Sequence, residues 1–267
     1  MEKNKIKSKP TISICDASNK PKYWMQMYDS LSSNNISFEV IYVGPKSPEF
    51  VLPDNFKFIY STVKPAQAVE IACRNARGEF LIHFPDDITL SKWGLDILYE
   101  TYLKYSDEKI MVSCMPYQNG KLLKKGHDNF IPYNFETPRI PLQALFNKKI
   151  WDRLGGIDKN FISSLWDVDM AMRIIEIGGS MIHCEDVISN EYVTDRERER
   201  RLIGKKLGGV SDRKYLHKAW VIGKNKMSKK AWATGDNKMS KKRLIPSISF
   251  ISKKILERSE RPRGEWK

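Results

Sequence analysis

The chain has no apolar run long enough to cross a membrane, and its basic start lacks the apolar block of a secretory signal. These absences predict a soluble, cytoplasmic protein whose residues 1–9 form a frayed end. Two glycine-rich fingerprints are also missing after the first predicted strand, namely Gly-x-Gly-x-x-Gly and Gly-x-x-x-x-Gly-Lys-Ser/Thr. Their absence argues against a dinucleotide-binding dehydrogenase and against a P-loop NTPase.

Cysteine is scarce and widely spaced in this sequence. None of the four cysteines belongs to a Cys-x-x-Cys pair, which argues against a zinc site and against a disulfide framework. The expected state is therefore a set of reduced and mostly buried thiols. These are Cys15, Cys73, Cys114 and Cys184.

Positive charge is concentrated at one end of the chain. Residues 196–267 contain 23 Lys and Arg against 7 Asp and Glu, a net charge of +16, whereas residues 1–195 carry 23 against 25, or −2. Because the body is nearly neutral, the overall charge of +14 does not by itself favour a nucleic-acid partner. The basic C-terminal extension, residues 196–267, repeats Asn-Lys-Met-Ser-Lys-Lys at 225–230 and 237–242.

Two interpretations of this extension remain open. It is either a solvated, helical or irregular tail, or an electrostatic contact with an anionic membrane surface, an acidic glycan or nucleic acid. The membrane contact would place the protein peripherally at the cytoplasmic face.

Strand and helix patterns alternate through the first part of the chain. Short apolar and β-branched runs predict strands, and apolar positions at helical spacing predict helices between them. This order predicts an α/β fold, a three-layer α/β/α sandwich with a mostly parallel central sheet. The predicted strands are 11–15, 38–43, 56–60 and 80–84, and the helices end near 31 and span 66–76.

The later part of the body continues with less regular patterns. Helices are predicted over 91–105, 148–154 and 167–177, and strands over 110–115 and 180–184. Residues 116–142 are too rich in proline for a central strand and predict a long loop or lid. Asp169 and Arg173 are four residues apart on the third helix and predict an ion pair. His183 is interpreted as a satisfied strand histidine and not as a metal ligand.

The most distinctive motif is the acidic pair that follows the fourth predicted strand. Phe80 to Phe84 is a continuous apolar run, which suits a strand buried on both faces, and Asp86 and Asp87 come directly after it. In open α/β sheets ligands bind at the carboxyl ends of the strands, where two carboxylates can hold a divalent cation against a phosphate. The alternative is a helix N-cap for the segment that begins at Ser91.

Several weak motifs occur in an order that resembles the GT-A nucleotide-sugar glycosyltransferases, in particular the inverting group called family two. The resemblance covers about residues 10–192. It rests on a polar turn with Asn19, on Glu39-Val40-Ile41, on Ala76-Arg77-Gly78-Glu79-Phe80, on Asp86-Asp87, on Gly155-Gly156-Ile157-Asp158 and on the segment from Trp166 to Arg173.

The resemblance implies a GT-A domain over residues 10–195, with a nucleotide-binding half (10–90) and an acceptor-side half (91–195). It implies transfer of a sugar from a nucleoside-diphosphate-sugar donor, with a UDP-sugar favoured, to a hydroxyl on a glycan, a lipid-linked or a protein acceptor. Asp87, with Asp86 assisting, would hold Mn²⁺ or Mg²⁺ against the diphosphate.

The resemblance also implies roles for four further residues. Asp167 would be the general base, although a plain helix N-cap is the alternative for that aspartate. Trp166 would lie on the acceptor side, in the place of a more common glutamate. Asp16 and Lys64 occupy positions that contact the nucleotide in the family.

Two other functions remain open at this point. The second predicted strand ends in Val43-Gly44-Pro45, where the family has an aspartate, so the chain is alternatively a catalytically degenerate domain that binds a nucleotide or a glycan. A metal-dependent nucleotidyltransferase would share the acidic pair but would not need Asp167.

Overall fold

The computed structural model describes residues 10–122, 143–193, 211–212 and 214–216. The predictions for residues 1–9, for most of the proline-rich segment (123–142) and for most of the extension lie outside these ranges. The strands are β1 (Thr11–Ala17), β2 (Ser37–Gly44), β3 (Phe56–Tyr60), β4 (Phe80–His83), β5 (Ile88–Leu90), β6 (Ile110–Gln118), β7 (Lys121–Leu122), β8 (Ala144–Asn147) and β9 (Ser180–Glu191). The helices are α1 (Trp24–Leu31), α2 (Pro65–Asn75), α3 (Gly94–Leu103), α4 (Lys148–Leu154) and α5 (Trp166–Glu176).

The strands form a nine-stranded sheet in the order β3-β2-β1-β4-β8-β6-β9-β5, with β7 paired to β6 outside this path. In the first half, β1 is parallel to both β2 and β4, and β2 is parallel to β3. The predicted alternation of strands and helices is confirmed there. In the described ranges, no helix has the length and apolar content of a membrane span.

The second half of the sheet is mixed and not mostly parallel. β8 runs antiparallel between β4 and β6, β9 is parallel to β6, and β5 is antiparallel to β9. Residues Pro116–Gln118 continue β6, although their proline had favoured a loop. β8 pairs only with Met111–Ser113, so Pro116 lies where β8 no longer borders the strand, and the loss of one N–H is tolerated.

Helices cover both faces of the sheet, which confirms the three-layer arrangement. Alternate residues of each strand point to opposite faces, so Ile14 and Cys15 belong to different cores. One core packs α2, α4 and α5 against the sheet, and the other packs α1 and α3. The predicted helix over 148–154 is confirmed, and Gly155 ends it in the left-handed region at φ 77°.

A short part of the basic extension packs on the body. Leu216 is fully buried in the same core as α5, and the ring of Tyr215 lies edge-on to Phe161 with centroids 5.1 Å apart. The described residues of the extension are therefore part of the same packed unit as the sheet. The site described next lies at the carboxyl ends of β1 and β4.

Candidate functional site

The turn after β1 is tied to the acidic pair after β4. Oδ2 of Asp86 accepts hydrogen bonds from the Ser18 hydroxyl (2.5 Å), the Asn19 amide (3.2 Å) and the Lys20 amide (2.9 Å). The Ser18 hydroxyl in turn accepts from the indole N–H of Trp24 at 2.6 Å. Asp86 therefore fixes the polar turn beside the strand ends.

Asp86 is not a helix N-cap, because the short strand β5 follows it and α3 begins only at Gly94. Burial raises the pKa of the Asp86 carboxyl, the Ser18 hydrogen bond lowers it, and the neighbouring Asp87 and Asp16 carboxylates raise it again. The resulting pKa is about 6. This carboxyl consequently changes charge in mildly acidic solution.

Asp87 forms an ion pair with the ammonium group of Lys20. The two atoms, Nζ of Lys20 and Oδ2 of Asp87, are 2.5 Å apart, and the Asp87 side chain is 3% exposed. The described residues contain no group of three His, Cys, Asp or Glu side chains placed to hold a metal ion. Mg²⁺-type cations, however, commonly bind through one or two carboxylates and take their other ligands from substrate phosphates and water. The chemistry of Asp87 fits such a cation, which would have to displace the ammonium of Lys20.

His83, which the sequence analysis did not single out, ends β4 beside Asp16. Its Nδ1 lies 2.9 Å from Oδ2 of Asp16, and both side chains are largely buried. Burial lowers the pKa of His83, but Asp16 and Asp167 raise it further, so the net shift is upward. Burial likewise raises the pKa of Asp16, although the pair with His83 opposes this shift. The imidazolium form is thus stabilised between carboxylates from two parts of the chain.

Asp167 lies in the first turn of α5, on the same side of the molecule as His83. Its Oδ1 accepts the backbone N–H of Val168 at 2.9 Å. Burial raises the pKa of Asp167 above its ordinary value, and His83 acts in the opposite direction. The neighbouring Trp166 is buried, and its ring lies edge-on to His83 with centroids 4.6 Å apart.

His83 and Asp167 both line a cavity of about 240 Å³. Most of its wall is apolar or aromatic and includes Trp151 and Trp166, while Glu191 and Ser189 add polar groups. Asp16 interacts electrostatically with Asp167 through the same region. The cavity therefore adjoins the carboxylate cluster at the strand ends and has Asp167 in its wall.

Three solved structures resemble the chain. GalNAc-T7 with UDP, GalNAc and Mn²⁺ has a TM-score of 0.60 at 12% identity, covering 72% of this chain and 45% of that chain. The mannosyltransferase PcManGT from Pyrobaculum calidifontis, in complex with GDP-Man and Mn²⁺, has a TM-score of 0.59 at 17% identity, covering 94% and 74%. Residues 1–349 of S. aureus TarS, in complex with UDP, have a TM-score of 0.54 at 13% identity, covering 93% and 89%.

The chain has the GT-A glycosyltransferase fold. It spans less than half of the GalNAc-T7 chain. No protein-family profile and no curated protein sequence matches it.

Within this GT-A fold, five of the six predicted site residues come together. Asp16, Asp86 and Asp87 share the carboxyl ends of β1 and β4, and Trp166 and Asp167 line the adjoining cavity. Lys64 does not join them. It is exposed at the position before α2, and its side chain makes no ion pair or hydrogen bond with another described residue. The functional roles of all six residues stay predictions.

Gly44 occupies the end of β2, where the GT-A pattern leads one to expect an aspartate. A Cβ atom at this position would overlap the backbone carbonyl oxygen of Ser18, whose amide donates to the Val43 carbonyl at 2.9 Å. The close approach of β2 to the polar turn therefore explains the glycine. It also removes a carboxylate from this side of the cluster.

Two structural interpretations from the sequence are confirmed. The Asp169 carboxylate lies 3.0 Å from Nε of Arg173, and both side chains are almost fully buried. Arg173 also donates to the carbonyls of Leu154 and Gly156, which joins α5 to the end of α4. Nδ1 of His183 lies 2.8 Å from the Ser113 hydroxyl, as expected of a satisfied strand histidine.

Proposed function

We propose that the chain is a glycosyltransferase that moves a sugar from a nucleoside-diphosphate-sugar donor to a hydroxyl acceptor, with inversion and with Asp167 as the general base. The observation that carries this proposal is the position of Asp167. It lines one cavity with His83, and His83 is paired with Asp16 in the cluster that contains Asp86 and Asp87. A carboxylate base and a donor-side cluster on one cleft are what such a transfer requires.

The donor half of the proposal is supported by the fold and by the ligands of the similar structures. Ligands of open α/β sheets bind beyond the carboxyl ends of the strands, where the turn at Ser18 meets Asp86. Two of the three similar structures contain UDP and one contains GDP-Man, which supports a nucleotide-sugar donor and a UDP-sugar as the first to test.

Breaking the bond between sugar and diphosphate develops negative charge on the leaving phosphate oxygens. Mn²⁺ or Mg²⁺, held by Asp87 with Asp86 beside it, would supply positive charge to that leaving group. The Mn²⁺ in two of the similar structures supports this assignment. The ammonium of Lys20 lies at the same carboxylate and is 22% exposed, so it is placed to donate to the diphosphate as well.

On the acceptor side, the Asp167 carboxylate would remove the proton from the acceptor hydroxyl as that oxygen attacks the anomeric carbon. Burial raises the pKa of Asp167 and makes it a stronger base than an ordinary aspartate. General-base catalysis of this kind contributes roughly 10²–10⁴-fold. A single displacement inverts the anomeric centre. Trp166, buried against His83, would form the wall against which the acceptor is oriented.

The decisive experiment compares wild type with Asp167→Asn. Transfer from a panel of UDP- and GDP-sugars is expected to fall by roughly 10²–10⁴-fold in the variant, with nucleotide binding retained. Asp186→Asn, at an exposed position in β9, is the matched control. Undiminished transfer in Asp167→Asn would sink the assignment of the base and would favour a nucleotidyltransferase. A product with retained anomeric configuration by NMR would sink the single displacement.

A second candidate is a domain that binds a nucleotide or a glycan without turnover. Two observations favour it, the Lys20 ammonium on Asp87 and Gly44 in the place of an aspartate. Donor hydrolysis in the presence of Mn²⁺ separates the two candidates, because a binding domain releases no free sugar.

For the acceptor we propose a glycan, lipid-linked or protein hydroxyl. The charge of +16 on residues 196–267 supports attraction to an anionic membrane surface at the cytoplasmic face. Co-sedimentation with phosphatidylserine vesicles should then be lost at high salt, and equal co-sedimentation with neutral vesicles would argue against this attraction.

A further inference from the structure

A buried aspartate from the basic extension binds the loop that leads into the predicted general base. Asp212 is 0% exposed. Its carboxylate accepts the backbone N–H groups of Ile162 (2.8 Å), Ser163 (2.9 Å) and Ser164 (2.9 Å). The hydroxyls of the two serines lie 3.3 and 3.4 Å from the same Oδ2 atom. Three consecutive amides are thus held by one side chain that lies about 50 residues further along the chain.

A second residue of the same segment holds the beginning of that loop. The Tyr215 hydroxyl donates to Oδ2 of Asp158 at 2.5 Å, and the side-chain amide of Asn160 donates to the Tyr215 oxygen at 2.9 Å. The Tyr215 ring packs edge-on against Phe161. Residues 158–164 are therefore fastened to the extension at both ends.

The other side of the loop is fastened to the nucleotide-binding half. The carbonyl of Ile162 accepts the backbone N–H of Ala66, in the first turn of α2, at 3.1 Å. Ile162 therefore bridges α2 and Asp212 through its own peptide groups. The loop spans the two elements and continues directly into Trp166 and Asp167.

The last residue of the loop has a backbone conformation that needs outside support. Leu165 has φ 62°, in the left-handed region that residues with a side chain rarely adopt. Such conformations persist where surrounding contacts over-determine them. The contacts that hold the preceding residues are the three amide bonds to Asp212 and the bond to Ala66.

We propose that Asp212 is a positioning residue for Asp167, so that part of the basic extension is a component of the transferase site. The inference rests on the proposed role of Asp167 as general base. Asp212 does not contact the reacting atoms. It fixes the peptide groups of residues 162–164, and these fix the start of α5, where the Asp167 carboxylate faces the cavity.

The expected effect follows from the sensitivity of transfer to geometry. A displacement of about 1 Å of a catalytic group costs on the order of 10²-fold in rate. Asp212→Ala is therefore expected to lower kcat by roughly 100-fold. The donor KM and the nucleotide affinity should change little, because Asp16, Asp86 and Asp87 are held by β1 and β4. A purely structural role would lower the melting temperature and leave kcat of the folded fraction unchanged.

The experiment measures turnover and amide hydrogen exchange on the full chain. In Asp212→Ala the amides of residues 162–164 are expected to exchange at least roughly tenfold faster than in wild type. Lys214→Ala, exposed in the same segment, should match wild type in both readouts. Asp212→Asn keeps one acceptor oxygen and should lie between wild type and Asp212→Ala. Tyr215→Phe, which removes one hydroxyl and keeps the ring, serves as the second variant if Asp212→Ala does not fold.

The outcomes separate this inference from the proposed function. Unchanged exchange in residues 162–164 overturns the clamp itself. Faster exchange with unchanged kcat overturns the positioning role. A wild-type chain that binds nucleotide but transfers no sugar contradicts the proposed function and the positioning role together, whereas the exchange measurement still decides whether Asp212 holds the loop.

Discussion

His83 and Asp16 form an ion pair across two neighbouring parallel strands, with Nδ1 of His83 2.9 Å from Oδ2 of Asp16. His83 is directly opposite Cys15 in the register of β4 and β1, so the two side chains belong to the same edge of the sheet. The Trp166 ring packs on the imidazole, and Asp167 interacts with it electrostatically. His83 therefore connects the donor-side cluster to the helix that carries the proposed base.

The first prediction concerns the pH dependence of this pair. An unfolded histidine has a pKa of about 6.5, and the pKa of His83 in the fold is raised above that value. Its contribution to stability is fully present below pH 6.5 and is lost as the pH rises through the raised pKa. The difference in unfolding free energy between wild type and His83→Gln should therefore be largest near pH 6 and shrink towards pH 9. Chemical denaturation at several pH values measures it.

Asp16→Asn provides the control for the first prediction. Removing the carboxylate should abolish the same pH-dependent difference, and the double variant should show that the two effects are coupled. A difference between wild type and His83→Gln that is constant from pH 6 to pH 9 would contradict the assignment of an imidazolium to His83.

The second prediction concerns Asp86, whose pKa is raised from about 3.8 to about 6. Because the folded state binds this proton more tightly than the unfolded state does, the stability contribution is present at low pH and is lost as the pH rises from about 4 through 6. The shift corresponds to roughly 3 kcal/mol. In Asp86→Asn this fall should be absent.

Asn is a suitable replacement because all three hydrogen bonds converge on Oδ2, and one amide oxygen can accept them. The free energy of unfolding of wild type and variant at pH 4, 5, 6 and 7 provides the measurement. Asp54→Asn, at an exposed position, is the control. Equal pH slopes in wild type and Asp86→Asn would refute the prediction.

The local patterns of the sequence were sufficient for the first half of the fold. Continuous apolar strands and helical spacing identified β1 to β4 with their helices, and the residues after β4 were correctly expected at a strand end. The sequence analysis missed β5, because three residues carry little periodicity and their partners on β9 are about a hundred residues away. A strand this short is defined by its pairing and not by its own pattern.

The residues that the sequence analysis missed in the site have distant partners. His83 lies in an apolar run, where a histidine resembles any strand residue, and the carboxylate that gives it a role belongs to β1. Asp212 lies in the basic extension, where a lone aspartate looks like part of a solvated charge pattern. Its partners are backbone amides, which leave no residue-type signal. Lys64 had only its position before a proline and is not brought to the cluster.

The third prediction tests the close packing of Gly44 against the polar turn. A Cβ atom would overlap the carbonyl oxygen of Ser18, which is backbone and cannot rotate away. Gly44→Ala should therefore cost about 1–3 kcal/mol of unfolding free energy and should also weaken nucleotide binding, since the turn at Ser18 to Lys20 must shift. Thermal unfolding and nucleotide titration measure the two effects.

Gly120→Ala is the matched control for this prediction. Its Cβ would meet open space, but its φ of 73° disfavours a side chain, so a loss of about 1 kcal/mol without a change in nucleotide affinity is expected. If Gly44→Ala binds nucleotide as tightly as wild type, the turn does not depend on this contact.

The fourth prediction concerns competition between Lys20 and a divalent cation for Asp87. The ammonium lies 2.5 Å from Oδ2, so a cation that binds this carboxylate must first displace it. Lys20→Gln should therefore raise the Mn²⁺ affinity of the nucleotide-free protein by roughly tenfold, about 1.4 kcal/mol, because that competing charge is absent. Electron paramagnetic resonance of free Mn²⁺ measures the affinity without any assay of turnover. Lys22→Gln, exposed on the same turn, should bind Mn²⁺ as wild type does, and Lys20→Arg should restore the weak binding. Equal Mn²⁺ affinities in wild type and Lys20→Gln would mean that the cation does not use the oxygen held by Lys20, and Asp87 would then lose its proposed role as the metal ligand.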